Sequence, residues 1–143
     1  MSRIPMIRSV MTPFPYAIDA DAPLTQARAM MVEHGVRHLP VTHDDQLVGV
    51  VTDRDLKRAL DPSLGLPPRN ELYVKDVCVF EPYVVDMGEP LDRVLRHLAQ
   101  THIGSALVVR KGRVVGIFTT IDACRCFAEH LGNQAPGVGD DAA

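Results

Sequence analysis

Gly49-Val50-Val51-Thr52-Asp53-Arg54-Asp55 and Gly116-Ile117-Phe118-Thr119-Thr120-Ile121-Asp122 share one form: a glycine, two apolar residues, a threonine, two variable residues and an aspartate. They lie 67 residues apart, and the same offset holds along the chain without a gap. Working outward, Val41 falls on Val108, Pro23-Leu24 on Pro90-Leu91, Asp19 on Asp86, Pro15-Tyr16 on Pro82-Tyr83 and Val10 on Val77; downstream, Arg58 falls on Arg125. An internal repeat of this kind decides the architecture before any single element is assigned. Residues 1–60 read as a first unit with an N-terminal lead-in and residues 74–131 as a second. Between them, residues 61–73 carry three prolines and one glycine, which disfavour helix and internal strand and mark a linker. The closing stretch, residues 132–143, is small, polar and glycine-rich, and is expected to be a disordered tail.

Each unit repeats one order of elements. Tyr16–Ile18 and Tyr83–Val85 are short runs of strand formers. A helix opens at Asp21-Ala22-Pro23 and again at Gly88-Glu89-Pro90, where proline suits a first turn and an acidic side chain suits the positive helix end. Leu24, Ala27 and Met31, then Leu91, Val94, Leu95 and Leu98, form inward stripes at helical spacing. Strand pairs follow, His38–Thr42 with Leu47–Thr52 and Ala106–Arg110 with Arg113–Thr119, joined by His43-Asp44-Asp45-Gln46 and Lys111-Gly112, which suit hairpins. Closing helices run from Asp53 to Leu60 and from Thr120 to Leu131. The expected fold is therefore α+β: two β-α-β-β-α units, each too small to hold a comfortable core alone, packed with pseudo-two-fold symmetry.

Composition narrows the function classes. Of 143 residues 46% are apolar and 23% charged, the usual range for a globular chain. A formal charge of −3 supplies no global attraction for nucleic acid or an anionic membrane. No apolar run approaches the roughly 20 residues that cross a bilayer, and MSRIPMIRSVMTP lacks the apolar core of a signal peptide, so the expected location is the cytoplasm. Cys78, Cys124 and Cys126 make an odd count without an export signal and read as reduced, structural thiols. The histidines show no metal-ligand spacing, so no metal is expected. Ser9, Ser63 and Ser105 lack a nucleophile-elbow context and phosphate-binding glycine loops are absent, which argues against catalysis.

Chemistry concentrates in the Gly-x-x-Thr-x-x-Asp corner. The threonine sits where strand becomes helix and the aspartate in the first helical turn, beside free backbone N–H groups. Read locally, Thr-x-x-Asp is a helix cap. Read as a site, a hydroxyl and a carboxylate share one space and can bind a polyol beside an anion.

This corner, with the Val10-Met11-Thr12-Pro13 lead-in and the Arg37-His38-Leu39-Pro40-Val41 strand, resembles the CBS (cystathionine-β-synthase-type) domain, and the resemblance covers both units. It implies a regulatory module that needs no cofactor and takes an adenine nucleotide (AMP, ADP or ATP) or S-adenosylmethionine as its ligand in two clefts. Asp55 and Asp122 would hold ribose hydroxyls, as an ionised carboxylate accepts well from a diol, with Thr52 and Thr119 on ribose or phosphate. Thr12, Pro13, Tyr16, Ala17 and Ile18 would line the first adenine pocket, near Leu39 and Pro40. Phe80, Tyr83, Val85, Ser105 and Ala106 would serve the second.

The clefts differ. Arg37, His38 and Arg54 in the first unit correspond to Gly104, Ser105 and Ile121 in the second, which makes the first the better polyphosphate site. Phe118 is a candidate to fill space in the other. Lys57, Arg58 and Arg125 read as solvated charges. The resemblance also implies a flat homodimer paired through helices, and signalling to a separate effector protein. The competing reading is a ligand-free protein-interaction module.

Overall fold

The computed structural model describes residues 3–61, 63 and 72–134. After a 3-10 turn at Ile7–Ser9, the chain forms β1 (Thr12–Pro13), β2 (Ile18–Asp19), α1 (Leu24–His34), β3 (His38–His43), β4 (Gln46–Thr52) and α2 (Asp53–Ala59). The second half forms α3 (Val74–Val77), β5 (Val79–Phe80), β6 (Val84–Val85), α4 (Leu91–Thr101), β7 (Ser105–Arg110), β8 (Arg113–Thr119) and α5 (Thr120–Gln134). The α+β class and the doubled unit stand as expected. Helix α5 continues three residues into the stretch expected as a tail, and residues 135–143 lie outside the described residues, as do residues 62 and 64–71 of the linker.

Pairing follows a plan that the repeat alone did not reveal. One sheet has the order β2-β3-β4-β5 and the other β1-β8-β7-β6. Within each repeat, the first short strand joins the hairpin in parallel, Ile18 opposite Val41 and Val85 opposite Val108. The lead-in strand does not. β1 pairs with β8, Thr12 opposite Ile117, and β5 pairs with β4, Gly49 opposite Phe80, so each repeat completes the other's sheet. The exchange includes what precedes each strand. Ile7 is buried in the second unit's core, and its N–H donates to the Glu89 carbonyl at 2.8 Å. Val74 is buried in the first unit's core, and its N–H donates to the Ala22 carbonyl at 2.9 Å. Leu72 and Tyr73, expected in the linker, are docked there too: the Leu72 carbonyl accepts from Leu24 N–H at 3.0 Å and Tyr73 bridges to Pro23. After each exchanged strand the chain turns sharply toward the opposite sheet, with Phe14 at φ 46° and its counterpart Glu81 at φ 57°.

Three apolar clusters hold this arrangement. Ile18, Leu24, Ala27, Met31, Leu39, Val41, Val51 and Leu56 form the core under α1 and α2. Val85, Leu91, Val94, Leu98, Ala106, Val108 and Phe118 form its counterpart in the second unit. Between the sheets, Val50, Leu107 and Ile117 meet with Leu47 against them. Phe118 is fully buried in the second core, on the opposite face of β8 from Ile117, because successive strand residues alternate faces. It therefore does not fill a cleft.

The pseudo-axis runs between the two hairpins. At one end the turns touch, Leu47 N–H donating to the Gly112 carbonyl at 3.1 Å. Both turns hold their central residues at positive φ, Asp44 and Asp45 at 51° and 63°, Lys111 and Gly112 at 55° and 79°, the backbone that a tight two-residue hairpin demands. At the other end, where β3 and β7 begin, a Cβ added to Gly104 would stand 2.9 Å from His38 Nε2.

Candidate functional site

The candidate site lies at that second end. In the first unit the strand-to-helix corner is a capping box. Thr52 N–H donates to Asp55 Oδ2 at 2.9 Å, and Asp55 N–H donates to Thr52 Oγ1 at 3.2 Å. The Asp53 N–H donates to the Arg37 carbonyl at 3.0 Å, tying the residue before β3 to the start of α2. Arg37, His38, Thr52, Arg54 and Asp55 are thereby gathered, with Arg37 and Arg54 exposed and His38, Thr52 and Asp55 half-buried. Among the described residues, Asp55 Oδ1 has no hydrogen-bond partner and neither arginine has an ion-pair partner. Burial pulls the His38 pKa below the ordinary 6.5, against Asp53 and Asp55, which favour its charged form; Arg37 adds to the lowering. His38 is therefore neutral at pH 7, and its ring rests against Gly104 of the other unit.

The second corner is built alike but closed differently. Thr119 N–H donates to Asp122 Oδ2 at 2.8 Å and Thr119 Oγ1 donates to the same oxygen at 3.3 Å. Arg125 takes the remaining oxygen, Nη1 to Oδ1 at 3.1 Å, and Asp122 is only 6% exposed. Arg125, itself exposed, is thus also an ion-pair partner of the site aspartate. Its counterpart Arg58 makes no such bond among the described residues.

Strand exchange reassigns several candidates. Thr12 and Pro13, expected beside the first site, lie on β1 alongside β8 and approach the Thr119 corner. Phe80, expected beside the second, lies on β5 opposite Gly49 and approaches the Thr52 corner with Cys78, whose thiol is pushed up by burial first and by Asp55 second. Tyr16 and Ala17 stay with the first unit, and Tyr83 with the second. Each tyrosine stacks on a histidine of its own unit's first helix, Tyr16 on His34 with centroids 3.6 Å apart and Tyr83 on His97 at 3.8 Å. Ile18, Leu39, Val85 and Ala106 are core residues, and Pro40 is fully buried, so these five offer a cleft their backbone rather than their side chains. Ser105 is buried opposite Thr119, while Ile121 projects from α5 with 61% exposure.

Gly104 and Arg125 are the residues that sequence reasoning missed. A glycine opposite a histidine position signals room for the ring only once the starts of β3 and β7 are known to be neighbours. The i, i+3 spacing of Asp122 and Arg125 was visible, but Asp55 and Arg58 share it without pairing.

Asp19, Asp21 and His43 bring three possible metal donors within 4.8 Å of one another at the far, hairpin end of the first unit. Lys75 holds Asp21 there at 3.0 Å.

Comparison with known proteins agrees with this architecture. The family model of the CBS domain matches residues 7–62 and 74–129. Hypoxic response protein 1 of Mycobacterium tuberculosis is 32% identical over 113 residues, covering 75% of this chain and 74% of that protein. An inosine-5'-monophosphate dehydrogenase of Thermoplasma acidophilum is 32% identical over 107 residues, but the chain spans only 20% of its length. Among solved structures, CBSX2 in complex with AMP superposes with a TM-score of 0.75 at 28% identity, covering 87% of this chain and 96% of that one. With two matched segments that take in both strand-to-helix corners, the chain belongs to the CBS domain family and carries the domain in tandem.

Proposed function

We propose that the chain is a regulatory, non-catalytic module that takes an adenosine-type ligand at the Thr52–Asp55 corner and reports its presence to a separate protein. The observation that carries this is that, among the described residues, Asp55 Oδ1 has no hydrogen-bond partner and neither Arg37 nor Arg54 an ion-pair partner, in a corner whose twin is already satisfied by Arg125. A ribose diol would donate to Asp55. Arg37 and Arg54 would take phosphate oxygens, and neutral His38 would offer a further polar contact without adding charge. The AMP complex of CBSX2 supports the ligand class. At the second corner a ligand must displace Arg125 or recruit it, so that corner binds more weakly. Because His38 of one unit packs on Gly104 of the other, occupancy of the first corner biases the packing of the two units, a population shift that a partner protein can read. Pairing of two copies through α5, which leaves Phe127 and Leu131 exposed, completes the proposal.

Thermal melting with AMP, ADP, ATP and S-adenosylmethionine tests it. A ligand at about 100 times its dissociation constant adds about 2.7 kcal/mol of stability. Asp55→Ala is expected to remove most of the shift and Asp122→Ala little of it. No shift with any of the four would leave a ligand-free interaction module, and equal losses would refute the difference between the corners.

A further inference from the structure

The end of the molecule opposite the corners carries a charge pattern that the repeat makes conspicuous. In the first unit, Asp19, Asp21, Asp44 and Asp45 gather with Lys75 around the β3–β4 turn, a formal −3 with His43 neutral. At the equivalent places the second unit has Asp86, Gly88, Lys111 and Gly112 with Arg8, and Arg110 and Arg113 replace His43 and Gln46, a formal +3. The inversion is not neutralised by ion pairs between the two halves among the described residues. The ion pair at this end among the described residues, Lys75 to Asp21 at 3.0 Å, lies in the acidic half, where the His43 ring also stands 3.9 Å from Asp21 and 3.6 Å from Asp44. None of the four cations of the basic half has a carboxylate within 4 Å among them.

The halves also differ in shape. The basic half contains a shallow, open concavity of about 650 Å³ whose wall is mostly apolar and which is bordered by Arg8, Asp86, Met87, Val109, Arg110 and Lys111. The acidic half ends in the exposed two-residue tip Asp44-Asp45. Tip and concavity sit side by side, since the turns touch at Leu47 and Gly112. One chain therefore presents both partners of a complementary contact side by side.

We propose that the acidic tip of one copy docks in the basic concavity of a second copy, and the second copy's tip in the first's concavity. Since the pseudo-axis relates tip to concavity within a chain, a true two-fold lying across this end closes both contacts at once, without propagating into a filament. The contact is distinct from pairing through α5 and independent of ligand. It doubles whatever particle α5 leaves, monomer to dimer or dimer to tetramer. Being made of exposed charges, it is weak and screened by salt.

Sedimentation velocity on the full chain tests this with two variants. Asp44→Lys/Asp45→Gly installs the residues that the second turn already carries at positive φ, and Arg110→Glu/Lys111→Asp reverses the basic half at exposed positions. Doubling is expected at about 0.05 M NaCl, with the dissociation constant rising at least about tenfold by 0.5 M. Each variant alone loses the doubling while keeping the far-UV spectrum and melting temperature. An equimolar mixture regains it, because the mixed pair restores both contacts. Absence of doubling at low salt, doubling that survives either variant, or a mixture that fails to recover would each overturn the proposal.

Discussion

His38 shows how one side chain serves both halves of the molecule. It opens β3 beside Arg37, faces Asp53 and Asp55, and lies so close to position 104 that a Cβ there would stand 2.9 Å from Nε2 and force the ring to shift. Its pKa is depressed by burial, so the folded state favours the neutral ring. The linkage sign follows: stability is full above the ordinary 6.5 and is lost as pH falls from there through the lower folded value. Denaturant unfolding between pH 8 and 5 is expected to show that decline, and His38→Gln to flatten it. At this scale the sequence was partly legible. Threonine and aspartate at fixed spacing announced both corners, and loss of the cations at positions 104 and 121 announced their inequality. The capture of Asp122 by Arg125 was not announced, since the same spacing in the first unit leaves Arg58 unpaired among the described residues.

Among the elements, the hairpins and helices could be read because their signals are local: turn residues that tolerate positive φ, and apolar positions at strand or helix period. The exchanged strands could not. Periodicity tells which face of a strand is buried, never which neighbour it pairs with, and Val10–Pro13 would suit either sheet. Two glycines mark where the exchange is tight. A Cβ on Gly49 would stand 2.6 Å from the Val79 carbonyl oxygen, which belongs to the backbone of the incoming strand and cannot yield without breaking the pairing. A Cβ on Gly116 would meet Met11 Sδ, the end of a flexible side chain. Gly49→Ala is expected to cost about 1–3 kcal/mol and Gly116→Ala clearly less, as measured by chemical denaturation.

For the molecule as a whole, exchange makes the two units one cooperative body. Each core contains a residue from the other repeat's lead-in, Ile7 in one and Val74 in the other. The full chain is expected to melt in a single transition by every probe. Residues 3–61 alone, and 72–134 alone, should each lack a cooperative melt in circular dichroism, while the two fragments mixed should regain one. Two independent transitions would mean that the exchange carries little energy. No helix among the described residues is long and apolar enough to cross a membrane.

The exchange also sets a clock on synthesis. Thr12 emerges early, yet its mate Ile117 follows 105 residues later. At about 5–20 residues per second that is a wait of roughly 5–20 s. Meanwhile Ile7 has no core to enter and the open edge of β4 waits for Val79 and Phe80. The nascent first half is therefore an incomplete sheet with an unprotected edge until β5 arrives, and β1 and Ile7 find their places only when the last strand, β8, leaves the ribosome.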